Sequence, residues 1–416
     1  MVQKDILDSQ DDEKIRALIE ANAKIIVGKH LQYGTFIGSP RLDFFSAAVG
    51  LLPFGNNDEE LAWLSKITPV SLECVNLPRQ SRSLEEIARK VISDETSLDL
   101  SNYNLAVTAS GARGAMVHHL SQLTNRKRPI VLFATPNWDF ESFICQIQDA
   151  HPIPIFGENS KQFLSNFDRY PLKKNVAAII ISDPANPLGY RFDKSDIENL
   201  EAISVDNGIV PIFDDVFRGM QPEGNRHSAS EYSKSSIIVE TTSKRFGIRG
   251  AGVTWSLVPK EIDINLPYIP CTSCADRAAV ITEALFSTNY GERVRQMLIT
   301  NSKAYREGLM SGLEKMQEKG KFMQAFEGIP FLTYHLPNFR ESKFNDIYKL
   351  HQISVDVFGI TSGIDWIRPM PGQEKPAIEE VAHGLTYFRI CPTKDVPDRA
   401  YYAGKMFGEA VTETLS

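Results

Sequence analysis

From residue 129 onward the chain alternates short, continuous apolar runs with helical or turn segments. The runs cover 129–135, 153–156, 177–182, 210–213, 237–240 and 252–258. Continuous runs, as opposed to in-out alternation, mark strands buried on both faces. Separated by helical stretches, they predict an α/β fold built on a mostly parallel sheet. Helical spacing of Ile15, Leu18, Ile19, Ala23 and Ile26, with Asp11, Asp12 and Glu13 at the start, predicts an amphipathic helix over 11–27. Further helices are expected over 84–95 and 112–124. Beyond about residue 280 the texture changes to a long helical stretch with Leu285, Val294, Met297, Leu298 and Tyr305 facing inward. A second, smaller α/β unit follows, with strands expected over 331–335, 355–360 and 386–391. The expected division is a large domain over 50–290 and a small one combining 1–49 with 291–416. No internal repeat or low-complexity tract interrupts this pattern.

Composition narrows the picture. A chain of 416 residues with 42% hydrophobic content can form a large core and a smaller one. The five cysteines are an odd number spread along the chain, so a disulfide framework is not expected and a reducing compartment is. Cys271 and Cys274 form the one close pair, without a second pair or a histidine cluster at ligand spacing, so no metal site is expected. The net charge of −7 and the scattered basic residues argue against a nucleic-acid surface and for small-molecule partners. The N-terminus has no apolar core of signal-peptide type, and no run approaches the roughly 20 apolar residues of a membrane span. A soluble, cytoplasmic protein is expected.

Parallel sheets place chemistry at the carboxyl ends of their strands, so the residues after each run carry the functional reading. Four such segments form a set. Ile179-Ile180-Ile181 runs into Ser182-Asp183-Pro184-Ala185-Asn186-Pro187-Leu188-Gly189, and Pro211-Ile212-Phe213 into Asp214-Asp215-Val216-Phe217. Ile237-Ile238-Val239 leads to Thr241-Thr242-Ser243-Lys244, a hydroxyl-flanked lysine just past a strand. Ser110-Gly111-Ala112-Arg113-Gly114 is a glycine-rich turn opening a helix, where backbone N–H groups and a positive dipole suit a phosphate. A lysine amine whose proton is easily lost can attack an aldehyde, which makes Lys244 the candidate nucleophile. Taken singly, each residue has a structural reading: Asn186-Pro187 as a turn, Asp214 as a helix cap, Trp138 as a core aromatic and Arg389 as an ion-pair partner.

In this order the segments resemble the fold-type I pyridoxal-phosphate (PLP) enzymes, specifically the class I/II aminotransferase family. Asn-Pro-Leu-Gly is similar to the family's Asn-Pro-x-Gly, the Asp214 segment to its Asp-x-x-Tyr, and Thr-Thr-Ser-Lys to its Ser-x-x-Lys. The resemblance implies that Lys244 holds the cofactor as a Schiff base and shuttles protons, and that Asp214 pairs with the pyridinium nitrogen. It further implies that Asn186 donates to the phenolic oxygen, that Trp138 stacks on the ring, and that Ser110, Gly111, Ala112 and Arg113 take the phosphate. Thr241, Ser243 and Phe217 complete the cofactor shell by the same resemblance. Arg389 falls where the family holds the substrate α-carboxylate, a task suited to a planar guanidinium. Gly38 matches the N-terminal glycine that approaches the substrate, and Asn186 also borders it. Thr272 and Ser273 would reach a partner subunit's site, which implies a homodimer with shared active sites.

Three positions depart from the family pattern. The arginine that usually clamps the phosphate, eight residues after the lysine, is here Gly252; Arg249, Arg245 or Arg113 could supply the charge, and Arg249 is the preferred choice. Phe217 stands where a tyrosine is common, and the segment 74–83 lacks the tyrosine that often reaches the partner's phosphate. His30, near the segment expected to cover the substrate, is a surface histidine or an additional acid–base group. The expected function is a PLP enzyme acting on an α-amino acid, most simply an aminotransferase of amino acid metabolism. The alternatives are a specialised biosynthetic enzyme catalysing elimination, cyclisation or oxidation, and a non-catalytic protein of the same fold.

Overall fold

The computed structural model describes residues 77–135, 150–221, 228–246, 252–266, 290–313, 320–323, 332–336, 356–358 and 386–390, with isolated positions between and after them. The helix expected over 11–27, together with Gly38 and His30, lies outside the described residues.

Helix α1 (Leu77–Glu95) lays Leu84, Ala88, Val91 and Ile92, which recur at helical spacing, against strands β1 (Tyr103–Thr108) and β7 (Thr254–Pro259). Strand β1 has no counterpart among the expected strands. It is an edge strand in which Asn104 is exposed among buried neighbours, so no continuous apolar run announces it. Helix α2 (Gly111–Leu123) follows, and then β2 (Ile130–Thr135) and β3 (His151–Phe156). Helix α3 (Ser160–Asp168), β4 (Val176–Ser182), helix α4 (Lys194–Asn207) and β5 (Val210–Asp214) continue the alternation. Strand β6 (Ile237–Thr241) ends in the four-residue helix α5 (Thr242–Arg245), and β7 closes the series.

These strands form one seven-stranded sheet in the order β1-β7-β6-β5-β4-β2-β3. All neighbours are parallel except β7, which runs antiparallel to both β6 and β1. From β6 the chain passes through α5 and turns back beside the strand it has just left. Because β7 opposes both neighbours, β1 runs the same way as β6, and the carboxyl ends of β1, β4, β5 and β6 share one edge.

Alternate strand residues face opposite layers. Ala178, Ile180, Ile212, Ile237 and Val239 pack beneath Ala115, Met116 and Leu120 of α2. Ile179, Ile181 and Phe213 pack against Phe163, Leu164 and Phe167 of α3 and Ile197 and Leu200 of α4. Covered on both faces, these strands need apolar residues at every position, which is why their sequences read as runs.

A helix over Tyr290–Gly312, α6, buries Tyr305 and Leu309. Beyond it a four-stranded antiparallel sheet has the order β10-β11-β9-β8, from β8 (Lys321–Phe322), β9 (Leu332–Leu336), β10 (Asp356–Phe358) and β11 (Thr386–Ile390). Three of these strands fall where the apolar pattern placed them. The two-residue β8 is too short to leave a pattern. Among the described residues no helix is long and apolar enough to cross a membrane.

The helix layer over the sheet includes a buried polar side chain. His119 of α2 is fully buried, and neither ring nitrogen has a hydrogen-bond partner among the described residues. Burial, helped by the neighbouring His118, lowers its pKa to about 4 from 6.5. The unfolded chain therefore binds a proton between these values that the folded chain refuses. Stability contributed by neutral His119 is complete above pH 6.5 and is lost as pH falls toward 4, by about 3 kcal/mol. Urea unfolding of wild type and His119→Leu at pH 7 and pH 4.5 checks this: the stability difference between the two proteins should move in favour of leucine at the lower pH.

Candidate active site

The strand register brings the expected residues together. Thr108 at the end of β1 and Thr241 at the end of β6 both pair with Thr254 of β7, so three threonines form a row across the sheet. Ser182 of β4 lies opposite Asp214 of β5, which in turn lies opposite Val239 of β6. The segments that leave these strand ends, with Ser110-Gly111, Asn186, Asp214 and Lys244, therefore meet at one edge.

Asp214 is the last residue of β5, not a helix cap, and is 2% exposed. Ser182 Oγ donates to its Oδ2 at 3.2 Å. Asn186 is buried in the loop after β4, and that loop is latched at its base. Arg191 spans both oxygens of Asp183, Nη2 to Oδ2 at 3.0 Å and Nε to Oδ1 at 3.4 Å. Above the latch Ala185 N–H donates to Tyr190 O at 2.9 Å, and Gly189, at φ +76°, completes a turn that a side chain would strain. The loop is also held from the second sheet, since Thr333 Oγ1 of β9 donates to the Pro187 carbonyl.

Lys244 sits in the four-residue α5, which is capped by Thr241, whose Oγ1 accepts from Ser243 N at 3.2 Å. Thr241 and Thr242 hydroxyls both donate to Val253 O, at 3.1 and 3.2 Å, pinning the lysine turn to the entrance of β7. The Lys244 Nζ lies 5.8 Å from the centroid of the buried Phe217 ring, within the range of a cation–π contact. At the end of β1, Thr108 Oγ1 accepts from Ser110 N at 3.1 Å, and α2 begins at Gly111 with φ +74°. A Cβ on Gly111 would meet no atom within 4 Å, so the turn is open to an approaching group. Ala112 and Arg113 continue that first turn, whose N–H groups have no partners within the helix.

Gly252 has a steric reason. A Cβ there would lie 2.3 Å from Ser243 Oγ, 2.5 Å from Ser243 N and 2.8 Å from Ser243 Cα. No side chain fits at this position without displacing the residue before Lys244, so an arginine is excluded along with every smaller residue. Arg245, one of the three candidates for the missing charge, is withdrawn by its partners. Its guanidinium is 6% exposed, bonds both oxygens of Glu95 and lies 3.6 Å from Glu240 Oε1. Arg113 is exposed on the first turn of α2. Arg249 and Trp138 lie outside the described residues, as do Thr272 and Ser273. Arg389 is described through its backbone, which pairs with Thr333 in the β9–β11 ladder. That pairing places its strand beside the one that grips the Asn186 loop.

Sequence reasoning missed a buried ionic cluster behind these residues. Arg218 donates to Glu95 Oε2 at 3.1 Å and to Glu240 Oε2, and its Nε lies 3.9 Å from Asp215 Oδ2. Trp255 Nε1 adds a bond to Glu240 Oε2 at 3.1 Å. Burial alone would lower the Arg218 pKa, but Glu240, Asp215 and Glu95 together hold it above its ordinary value. Asp215 is the surplus carboxylate: burial, with Asp183 and Glu240 nearby, pushes its pKa up to about 7 despite Arg218. A signal for the cluster did exist, in the glutamate that ends the apolar run Ile-Ile-Val-Glu240 and in the charges following Asp214 and Lys244.

Comparison with known proteins follows the same lines. The profile of the family described as Aminotransferase class I and II matches residues 77–328. A protein of Methanocaldococcus jannaschii named "Probable aspartate aminotransferase" is 25% identical over 189 residues, 44% of this chain and 48% of that protein. The matched segment thus spans about half the length of this curated relative. Among solved structures, the aromatic aminotransferase from Pyrococcus horikoshii OT3 superposes with a TM-score of 0.61 at 17% identity, covering 89% of this chain and 96% of that one. A PLP-bound structure from Clostridium difficile 630 gives a TM-score of 0.63 at 15% identity, covering 88% and 92%. At such identities the likeness speaks for the fold.

Gly252→Ala tests the steric reading. Forced against Ser243, the added methyl should lower stability by about 1–3 kcal/mol in urea unfolding. An unchanged midpoint would show that the approach of Gly252 to Ser243 is not structural.

Proposed function

Because the chain belongs to the class I and II aminotransferase family, we propose that it is a PLP-dependent enzyme transferring the amino group of an α-amino acid. The observation that carries the reading is the meeting of Lys244, Asp214, Asn186 and the Gly111 turn at one sheet edge. These residues fit the cofactor: an amine for its aldehyde, a buried carboxylate for its ring nitrogen, an amide for its phenolic oxygen and an open helix N-terminus for its phosphate. When bound, PLP supplies the aldehyde that captures amines and the ring that accepts electrons from the substrate α-carbon.

The protein's own residues do the rest. Lys244 anchors the cofactor and carries a proton from and to the substrate carbon. Asp214, held by Ser182 in a dry site, keeps the proton on the ring nitrogen. Asn186, on its latched loop, orients the ring, and Trp138 covers it. Ser243, Ser110, Gly111, Ala112 and Arg113 bind the phosphate, with Thr241 supporting the lysine turn beneath them and Arg249 supplying the charge that Gly252 cannot. Arg389 and Gly38 receive the substrate carboxylate. The reading includes a homodimer with shared sites, a cytoplasmic location, and the division into 50–290 and 1–49 with 291–416.

A second reading, elimination, cyclisation or oxidation at the same carbon, is favoured by Phe217 and Gly252, where two common cofactor contacts are missing. An amino-acid screen of purified, PLP-loaded protein separates the two: transfer yields a keto acid and the pyridoxamine form of the cofactor, and the second reading yields other products or free ammonia. Lys244→Ala should remove the visible absorbance of lysine-bound cofactor and lower turnover by several orders of magnitude. Arg249→Ala should weaken PLP affinity roughly tenfold, as expected for loss of one charged phosphate contact; unchanged affinity would sink that assignment.

A further inference from the structure

We propose that Glu95, at the end of α1, is a positioning residue for Lys244, fixing the lysine turn against the Phe217 turn through Arg245 and Arg218. The inference rests on the assignment of Lys244 as cofactor anchor.

Glu95 is far from both turns in sequence, 150 positions from Arg245 and 123 from Arg218, yet it touches both. Its Oε2 accepts from Arg218 Nη1 at 3.1 Å and from Arg245 Nη1 at 3.0 Å, and its Oε1 accepts from Arg245 Nη2. Arg218 directly follows Phe217, whose ring faces the Lys244 amine, and Arg245 directly follows Lys244. One carboxylate therefore joins the neighbours of both groups.

The packing around it permits little slack. Gly219 is placed so that a Cβ would come within 2.9 Å of Arg245 Cγ, so the arginine stem lies flat against the Phe217 turn. Phe286 flanks the same guanidinium at 5.2 Å. Helix α5 is only four residues long and cannot hold its own shape, so the geometry of Lys244 depends on what its neighbours grip. Glu240 bonds Arg218 and the Trp255 indole and reaches Arg245 only at 3.6 Å, so among the described residues Glu95 is the carboxylate that hydrogen-bonds both guanidiniums.

Neutralising Glu95 has a definite electrostatic sign. It removes a buried negative charge beside the lysine turn, which disfavours the ammonium form of Lys244. The test compares Glu95→Gln, Glu95→Asp and Leu84→Ala, the last weakening the same helix through its core face. Two quantities are read: the pH midpoint of the visible absorbance in PLP-loaded protein, and the acylation rate of Lys244 by acetic anhydride in cofactor-free protein, followed by peptide mass spectrometry. Glu95→Gln should lower the midpoint and raise the acylation rate roughly threefold or more, in keeping with coupling within one network. Glu95→Asp, which keeps the charge, should return both toward wild type, and Leu84→Ala should change neither. If Glu95→Gln behaves as Leu84→Ala does, losing stability while midpoint and acylation rate stay put, the role is merely structural and the proposal fails. If wild type shows no visible band with PLP, the assignment of Lys244 fails instead, while the acylation arm still reports on positioning.

Discussion

Five ionisable groups buried behind the sheet edge constrain everything in front of them. Glu95, Asp215 and Glu240 face Arg218 and Arg245 where almost no water reaches. Removing one such ion from water costs several kcal/mol, and only pairing with good geometry offsets it. The cluster consequently tolerates one arrangement of the three chain segments that supply it, α1, the turn after β5, and β6 with the helix that follows it. Protonation of Asp215 near neutral pH fits the same logic, because it brings two carboxylates opposite two guanidiniums.

The sheet does the coarser placing. Antiparallel β7, inserted between β1 and β6, restores β1 to the direction of the other strands, so the open N-terminus of α2 meets the lysine turn. The threonine row through Thr108, Thr254 and Thr241 marks where that alignment is set. The Asn186 loop belongs to both sheets: its base is latched by Asp183 and Arg191 in the first, and its tip is held by Thr333 of the second. Any shift of β9 is thus felt at Asn186, and Arg389 sits on the strand paired with it.

Gly252 shows how a departure from a family pattern acquires a cause. Viewed alone, the missing arginine is a loss. In the folded chain the space beside it is filled by Ser243, so the backbone of β7's entrance presses directly on the lysine turn and leaves no room for a side chain. Phe217 belongs to the same local economy of contacts, presenting an aromatic face to the Lys244 amine and leading straight into Arg218.

The parts legible in the sequence are local. Buried strands announce themselves as apolar runs because both faces are covered, and the segments after β4, β5 and β6 and at the start of α2 were readable because each motif is contiguous. The edge strand β1 and the two-residue β8 escaped because one is interrupted by a polar residue and the other is too short for any period. The ionic cluster escaped for a different reason: Glu95 and Arg245 stand 150 positions apart, so the charges beside the motifs are visible locally while the partners they bury against are not. That Arg245 is an ion-pair partner and not a phosphate ligand, and that Gly252 admits no side chain, were decided only when packing fixed which atoms share the same space.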